Sequence, residues 1–162
     1  MGFPALTEIH NKRYLLEFLD RELSRSARYK RPLALILFDI DRFKVINEDL
    51  GHLGGDFTLR EVAAAVKSTV RKEELFARYG GEEFIVVLPE TNLEGGVMVA
   101  ERVRSLVEQH LFQYEGKAYT TTISVGVGAT TGGEPLTPHD LIRQADEKLY
   151  QAKHAGRNRV VA

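Results

Sequence analysis

Cysteine is absent from the 162 residues. That removes disulfide frameworks, thiolate zinc sites and cysteine nucleophiles together, and it fits a reducing compartment. Tryptophan is absent as well. No apolar run approaches the roughly 20 residues that a membrane helix needs. The longest, Leu33-Ala-Leu-Ile-Leu-Phe38, has the size of a strand. The Met-Gly-Phe-Pro start lacks a charged-then-apolar leader, so no signal peptide is expected. An excess of one charge is also missing: 22 Lys and Arg face 23 Asp and Glu, a net charge of −1. This balance offers no basic footprint for nucleic acid and no polybasic stripe for a membrane surface. There is no Gly-x-x-x-x-Gly-Lys phosphate loop and no Gly-x-Ser-x-Gly elbow. The five histidines, at 10, 52, 110, 139 and 154, never take a metal-ligand spacing such as His-x-x-x-His.

What is present is an ordinary globular mixture, 43% hydrophobic and 28% charged, which excludes intrinsic disorder. The length fits one domain, residues 1–162, able to bury about 70% of its unfolded surface. Leu16, Leu19, Leu23 and Ala27 share a face of a helix over about 11–29. Pro32 opens a strand over 33–38 that is apolar throughout, as a strand covered on both faces must be. A short helix over about 42–49 closes at Gly51, and a second covers 56–70. Strands 75–79 and 83–88 flank the Gly80-Gly81 turn. A helix over 93–111 follows. A second hairpin, 112–115 with 118–129, turns at Glu115-Gly116. Thr137-Pro138 caps the last helix, Gly156 ends it, and 159–162 form a short strand. This mixture of hairpins and crossovers predicts an α/β (α+β) sandwich whose central sheet is mainly antiparallel and flanked by helices.

Four constellations carry candidate chemistry. Asp39 and Asp41 end the buried strand. Asp41 is placed to cap the next helix, whereas a carboxylate at Asp39 needs a cation or donors. Glu82 and Glu83 follow the glycine turn. They would diverge on a regular strand unless the turn bends them, yet they would lie near Asp39 if the hairpin pairs beside the first strand. Three carboxylates converging without lysine make a hard-cation site suited to magnesium or manganese. Lys44 and Asn47 share a helix face, with His52 and Asp56 beyond. Asn47 and Asp56 read equally as helix-end residues or as an amide and a carboxylate that recognise guanine. Lys153 and Arg157 either complement the macrodipole of the last helix or hold a polyphosphate.

At these residues the chain closely resembles the GGDEF family, the diguanylate cyclases of bacteria, from about Leu6 to Val161. The resemblance rests on Arg78-Tyr79 before Gly-Gly-Glu-Glu-Phe (80–84) and on Asp39-Ile-Asp-Arg-Phe-Lys-Val-Ile-Asn47. Gly51-His-Leu-Gly-Gly-Asp56, Ser124-Val-Gly-Val-Gly128, Ala145-Asp-Glu-Lys-Leu-Tyr-Gln-Ala-Lys153 and Gly156-Arg-Asn158 follow in order. It implies the fold of class III nucleotide cyclase catalytic domains and the condensation of two GTP into cyclic di-GMP and two pyrophosphates. It implies two magnesium or manganese ions held by Asp39, the Ile40 carbonyl, Glu82 and Glu83, with Glu82 foremost in accepting the proton. Asn47 and Asp56 would read guanine beside His52 and Phe43. Lys44, Lys153 and Arg157 would bind phosphates.

A second copy of the domain must complete the reaction. The domain is expected in the cytoplasm, either as a stand-alone cyclase or as part of a larger sensor protein joined to an upstream domain through the 11–29 helix. Two departures stand out. Pro4-Ala-Leu-Thr-Glu-Ile-His-Asn-Lys12 lacks the aspartate and turn glycine of the family's opening motif. Arg71-Lys-Glu-Glu74 carries glutamate where the inhibitory product site has aspartate. The alternative from another class is a non-catalytic module that binds GTP or cyclic di-GMP. A purely structural interaction domain would leave Asp39, Glu82 and Glu83 unexplained.

Overall fold

A computed structural model describes residues 9–162. Its elements in chain order are α1 (Lys12–Tyr29), β1 (Leu33–Ile40), α2 (Phe43–Lys67), β2 (Leu75–Gly80), β3 (Glu83–Pro89) and α3 (Leu93–Gln109). β4 (Phe112–Tyr114), β5 (Lys117–Tyr119), β6 (Ile123–Thr130), α4 (Pro138–His154) and β7 (Val160–Val161) complete it. Five strands form the central sheet in the order β2-β3-β1-β6-β7. All its pairings are antiparallel except that of β6 with β7. The expected mainly antiparallel sandwich is what forms.

β1 is the middle strand, and all eight of its residues are buried. Its two faces feed two cores. Ala34, Ile36, Phe38 and Ile40 pack with residues of α2 and α3, including Leu59, Val62, Ala100 and Val103. Leu33, Leu35 and Leu37 pack with Leu15 and Leu19 of α1 and Leu141, Ala145 and Leu149 of α4. The period-two alternation of β1 therefore decides which layer each side chain meets.

Local chemistry explains the element ends. Asn11 accepts from the Tyr14 N–H and caps α1. Thr137 and Asp140 form a reciprocal capping box behind Pro138, as the Thr-Pro pair predicted. α2 runs across both helices expected around Gly51, which sits at φ 78°, ψ 173° and kinks it. Asp56 thus lies inside a helix and is not a cap. The second expected hairpin is also revised. β4 and β5 pair as a separate two-stranded sheet, and β6 starts afresh at Ile123. The missed break falls in Thr120-Thr121-Thr122, residues with strand propensity that gave no turn signal.

α4 lies against β6 through glycine. A methyl group added to Gly126 would run into the backbone of Ala145 and Leu149. Backbone cannot yield as a flexible side chain can. Gly126→Ala should therefore cost about 1–3 kcal/mol or more, read as a lower urea midpoint with an unchanged slope. A midpoint equal to that of the native chain would refute this close packing of α4.

Candidate active site

Asp39 extends β1 beyond its apolar run. It sits at an odd position, so its side chain faces the α1/α4 layer. There the Lys153 ammonium of α4 donates to Asp39 Oδ2 at 2.5 Å. Glu83 is the cross-strand partner of Asp39, so the two carboxylates share one sheet face. Glu82 precedes β3, and its carbonyl accepts from the Ile40 N–H at 3.4 Å. The pairing of β2 with β3 shifts between Arg78 and Gly80. Arg78 closes the turn by donating Nε and Nη2 to the Gly81 carbonyl, at 2.9 and 2.6 Å. The charges of both glutamates beside this irregular turn reach Asp39 at the end of β1.

Asp39 is only 5% exposed. Burial pushes its carboxyl from 3.8 up to about 6; Lys153 opposes the rise, and Glu82 and Glu83 add to it. Glu83 is raised by burial too, with Lys153 opposing and Asp146 and Glu82 reinforcing. Burial alone would lower Lys153, but the hydrogen bond and the fields of Asp39, Glu83 and Glu82 hold it above its ordinary value. Three acids thus share one ammonium.

The expected gathering of carboxylates without lysine is corrected here. Among the described residues, no three metal-ligating side chains are close enough together to hold an ion as they stand. The acids repel one another, and the ammonium supplies the local positive charge. The donor chemistry still fits a hard divalent cation: the oxygens are carboxylate, and their negative charge exceeds that of the single ammonium.

The second constellation forms on α2. Phe43 and Lys44 occupy its first turn, where no side chain caps the helix and no acid is present. The Gly51 kink brings Asn47 over the second segment. A methyl group at Gly55 would collide with the Asn47 amide and approach the Phe43 ring. Gly55 thus leaves room for that amide beside Asp56. Asp56 is half-buried, whereas Lys44 and His52 are exposed. The cavity of about 320 Å³ between α2 and the β5–β6 connection includes none of Asn47, Asp56, Asp39, Glu82 or Glu83.

One reading of a single residue changes. Asp41 does not cap α2: the cap position belongs to Arg42, which is left-handed at φ 54° and makes no side-chain cap bond. Asp41 is instead buried and accepts from Thr122 Oγ1 and Ser124 Oγ, both at 2.6 Å, and from the Asn158 N–H at 3.0 Å. The signal for this lay in Thr122 and Ser124, hydroxyl residues alternating with Ile123 and Val125. Arg71 and Glu74, read above only as the altered product site, meet through the backbone. The Glu74 carboxylate accepts from the Arg71 backbone N–H at 2.9 Å and closes its own turn.

The altered opening motif lies partly outside the described residues; of it, His10 pairs with Ala77, and Asn11 caps α1. Asp146 near Glu83 and the Arg104–Glu108–Asn158 network went unread. Both depend on helix registers that no local motif marks.

Fold and site together define an α/β domain with an acid cluster at the end of its central strand and a polar recess on the next helix. The chain belongs to the diguanylate cyclase GGDEF-domain family, whose family model matches residues 4–159. It is 45% identical over 158 residues to the response regulator PleD of Caulobacter vibrioides, covering 96% of this chain and 35% of PleD. The chain therefore spans about a third of that relative's length. It superposes on the crystal structure of the GGDEF domain of DgcB from Caulobacter crescentus in complex with c-di-GMP. That match has a TM-score of 0.94 and 30% identity, and covers 99% of this chain and 92% of that one. The active GGEEF domain of a diguanylate cyclase from Vibrio cholerae matches with a TM-score of 0.85 and 34% identity, over 93% of this chain and 95% of that one.

The Asp39 shift predicts a pH dependence. A carboxyl whose folded pKa lies above its unfolded value holds a proton that the unfolded chain releases. Native stability therefore falls as pH rises from about 4 to about 6. Asp39→Asn does not titrate and keeps an acceptor for Lys153. In chelator, its stability relative to the native chain should grow over that window by up to about 3 kcal/mol, then stay level. Urea midpoints at pH 4.5 and 7 measure it, and a difference that shrinks with pH would contradict the burial argument.

Proposed function

We propose that this domain is a diguanylate cyclase that converts two GTP into cyclic di-GMP and two pyrophosphates. The 3′-hydroxyl of one GTP attacks the α-phosphorus of the other. A new P–O bond forms, the bond to the bridging oxygen breaks, and pyrophosphate leaves; the second bond closes the ring in the same way. The observation that carries this reading is the Asp39–Glu83 register beside Glu82, with an intact Gly-Gly-Glu-Glu-Phe turn. The name of the Vibrio cholerae relative supports it, because that domain is described as both active and of the GGEEF form.

GGDEF cyclases are metal-dependent. In this reading Asp39, the Ile40 carbonyl, Glu82 and Glu83 hold two magnesium or manganese ions. Such ions acidify the attacking hydroxyl and stabilise the charge that develops on the leaving phosphate. Glu82 helps accept the 3′-proton. Lys153 exchanges Asp39 for phosphate oxygens and joins Lys44 and Arg157 in holding the triphosphate. The uncapped amino end of α2 favours the same anion. Asn47 and Asp56 read the guanine edge, with Phe43 and His52 flanking it.

Each chain holds one GTP, so two chains meet face to face. We further propose that residues 1–162 form one domain of a cytoplasmic sensor protein, with α1 as the link to its upstream part. Among the described residues no helix is long and apolar enough to cross a membrane.

GTP with magnesium, assayed for cyclic di-GMP at high protein concentration, tests the activity. Asp39→Ala should abolish product while leaving a single cooperative melting transition at or above the native one, and near-native synthesis by that variant would end the metal reading. Asp56→Ala should raise the GTP KM more than it lowers kcat, because base recognition is largely uniform binding. It should also blur the preference for GTP over ATP, and an unaltered preference would remove Asp56 from the base site.

The third expectation concerns product feedback. Arg71 and Glu74 stand where the family binds its inhibitory product, but Glu74 is longer than aspartate and already serves the Arg71 N–H. Cyclic di-GMP should bind there about tenfold or more weakly than to Glu74→Asp. Calorimetry showing submicromolar binding to the native chain, lost in Arg71→Ala, would overturn this.

A further inference from the structure

Asp41 has no part in the base, phosphate or metal roles above, yet it is held on three sides. It is 6% exposed, and its carboxylate accepts from Thr122 Oγ1, Ser124 Oγ and the backbone N–H of Asn158. The first two donors belong to the start of β6 and the residue before it. The third belongs to the turn between α4 and β7. That turn is unusual. Gly156, Arg157 and Asn158 follow one another at φ 124°, 64° and 47°. Glycine takes such values freely and asparagine tolerates them, but arginine gains nothing there. A left-handed arginine persists when its surroundings over-determine it, and such strain clusters at functional sites.

The surroundings here can be named. The Arg157 N–H donates to the Ala152 carbonyl at 3.0 Å, and the Arg159 carbonyl accepts from the Val125 N–H at 2.9 Å. The Asn158 side chain is fixed from the far side, its Oδ1 accepting from Arg104 Nη1 and its Nδ2 donating to Glu108 Oε2, each at 2.7 Å. Asp41 takes the backbone N–H of Asn158. It is also two residues from Asp39 on the same strand end. One rigid carboxylate thereby ties the acid cluster to the turn that carries Arg157.

We propose that Asp41 is a positioning residue for Arg157: by accepting the Asn158 N–H it holds the left-handed turn from which the Arg157 guanidinium grips the triphosphate. The proposal rests on the phosphate-binding reading of Arg157. Asp41 itself does not touch substrate. What it contributes is an acceptor at a fixed place. A backbone N–H cannot reverse its polarity, whereas the Ser124 hydroxyl can. Asparagine at position 41 would therefore still serve Asn158, with its amide nitrogen turned to Ser124.

The test is a double-mutant cycle on GTP turnover with Asp41→Ala and Arg157→Ala, each protein checked by its melting curve. Asp41→Ala should raise the GTP KM about tenfold in the native background and leave it unchanged in the Arg157→Ala background. Asp41→Asn should restore KM to within about threefold of native, because the acceptor is needed and the charge is not. Should Asp41→Ala fail to fold, replacing the backbone amide of Asn158 by an ester removes that N–H and leaves every side chain in place, with Arg159→Ala as the control for the weakened Arg157 carbonyl that Arg159 Nε donates to. The chain has no cysteine, so a ligation and desulfurisation route at Ala155 is open. The ester should reproduce the tenfold rise in KM.

An Asp41→Ala effect equal in both backgrounds, or an ester with native KM, would overturn the positioning role while leaving Arg157 as a phosphate ligand. A native GTP KM in the single Arg157→Ala variant would overturn the phosphate reading itself, and this proposal with it.

Discussion

Everything at the site hangs on a strand that is buried on both faces. β1 is flanked by β3 and β6 and covered by two helix layers, so no position within it can carry a charge without a partner. Its apolar run from Leu33 to Phe38 is the consequence. The first polar side chains come where the strand leaves the sheet, and its alternation assigns them. Asp39 falls on the face of Leu35 and Leu37, which is the face of α4. Lys153 of that helix, rather than a residue of α2 or α3, is therefore its partner. The cross-strand register then puts Glu83 on the same face. Geometry alone places the acids and the lysine together, and their charge states follow from that placement.

The electrostatic balance is set by how closely α4 approaches. Gly126 and Gly128 of β6 leave no side chain between the strand and the helix, and the α4 backbone rests on the sheet. That proximity brings Lys153, near the carboxyl end of α4, down to Asp39. Burial lifts Asp39 while the acids lift Lys153. Three buried or half-buried carboxylates thus stand against a single ammonium. Such a cluster keeps an appetite for further positive charge. A divalent ion satisfies it more completely than a second lysine, because it accepts several oxygens at once.

Features governed by local rules were legible in the sequence. The all-apolar run announced a central strand, the paired glycines a hairpin, Thr137-Pro138 a capped helix, and Gly51 a break in α2. Features governed by tertiary partners were less so. Asp41 looked like a cap because aspartate before a helix usually is one. It took the left-handed Arg42 to move the cap and turn the carboxylate toward β6 and Asn158. The Lys153–Asp39 contact spans 114 positions, and the lysine was visible only as a basic residue at a helix end. The break between β5 and β6 fell in three threonines, whose propensity favours the extended state on either side of it.

The candidate residues come from connections far apart in the chain, and Asp39, Glu83 and Lys153 meet at one end of β1. The β1–α2 junction brings the first turn of α2, with Phe43 and Lys44. The β2–β3 turn brings Glu82 and Glu83. The close of α4 brings Lys153 and Arg157. Arg78 closes the β2–β3 turn, the Gly51 kink sets Asn47 against Gly55, and Asp41 clamps the turn after α4. Two of these clamps take their precision from the sheet, since Arg78 lies on β2 and Asp41 directly follows β1. Loosening the sheet at β6 should therefore disturb Lys153 and Arg157 before Asn47. The former hang on α4 and its terminal turn, whereas the Asn47–Gly55 contact is made within α2 itself.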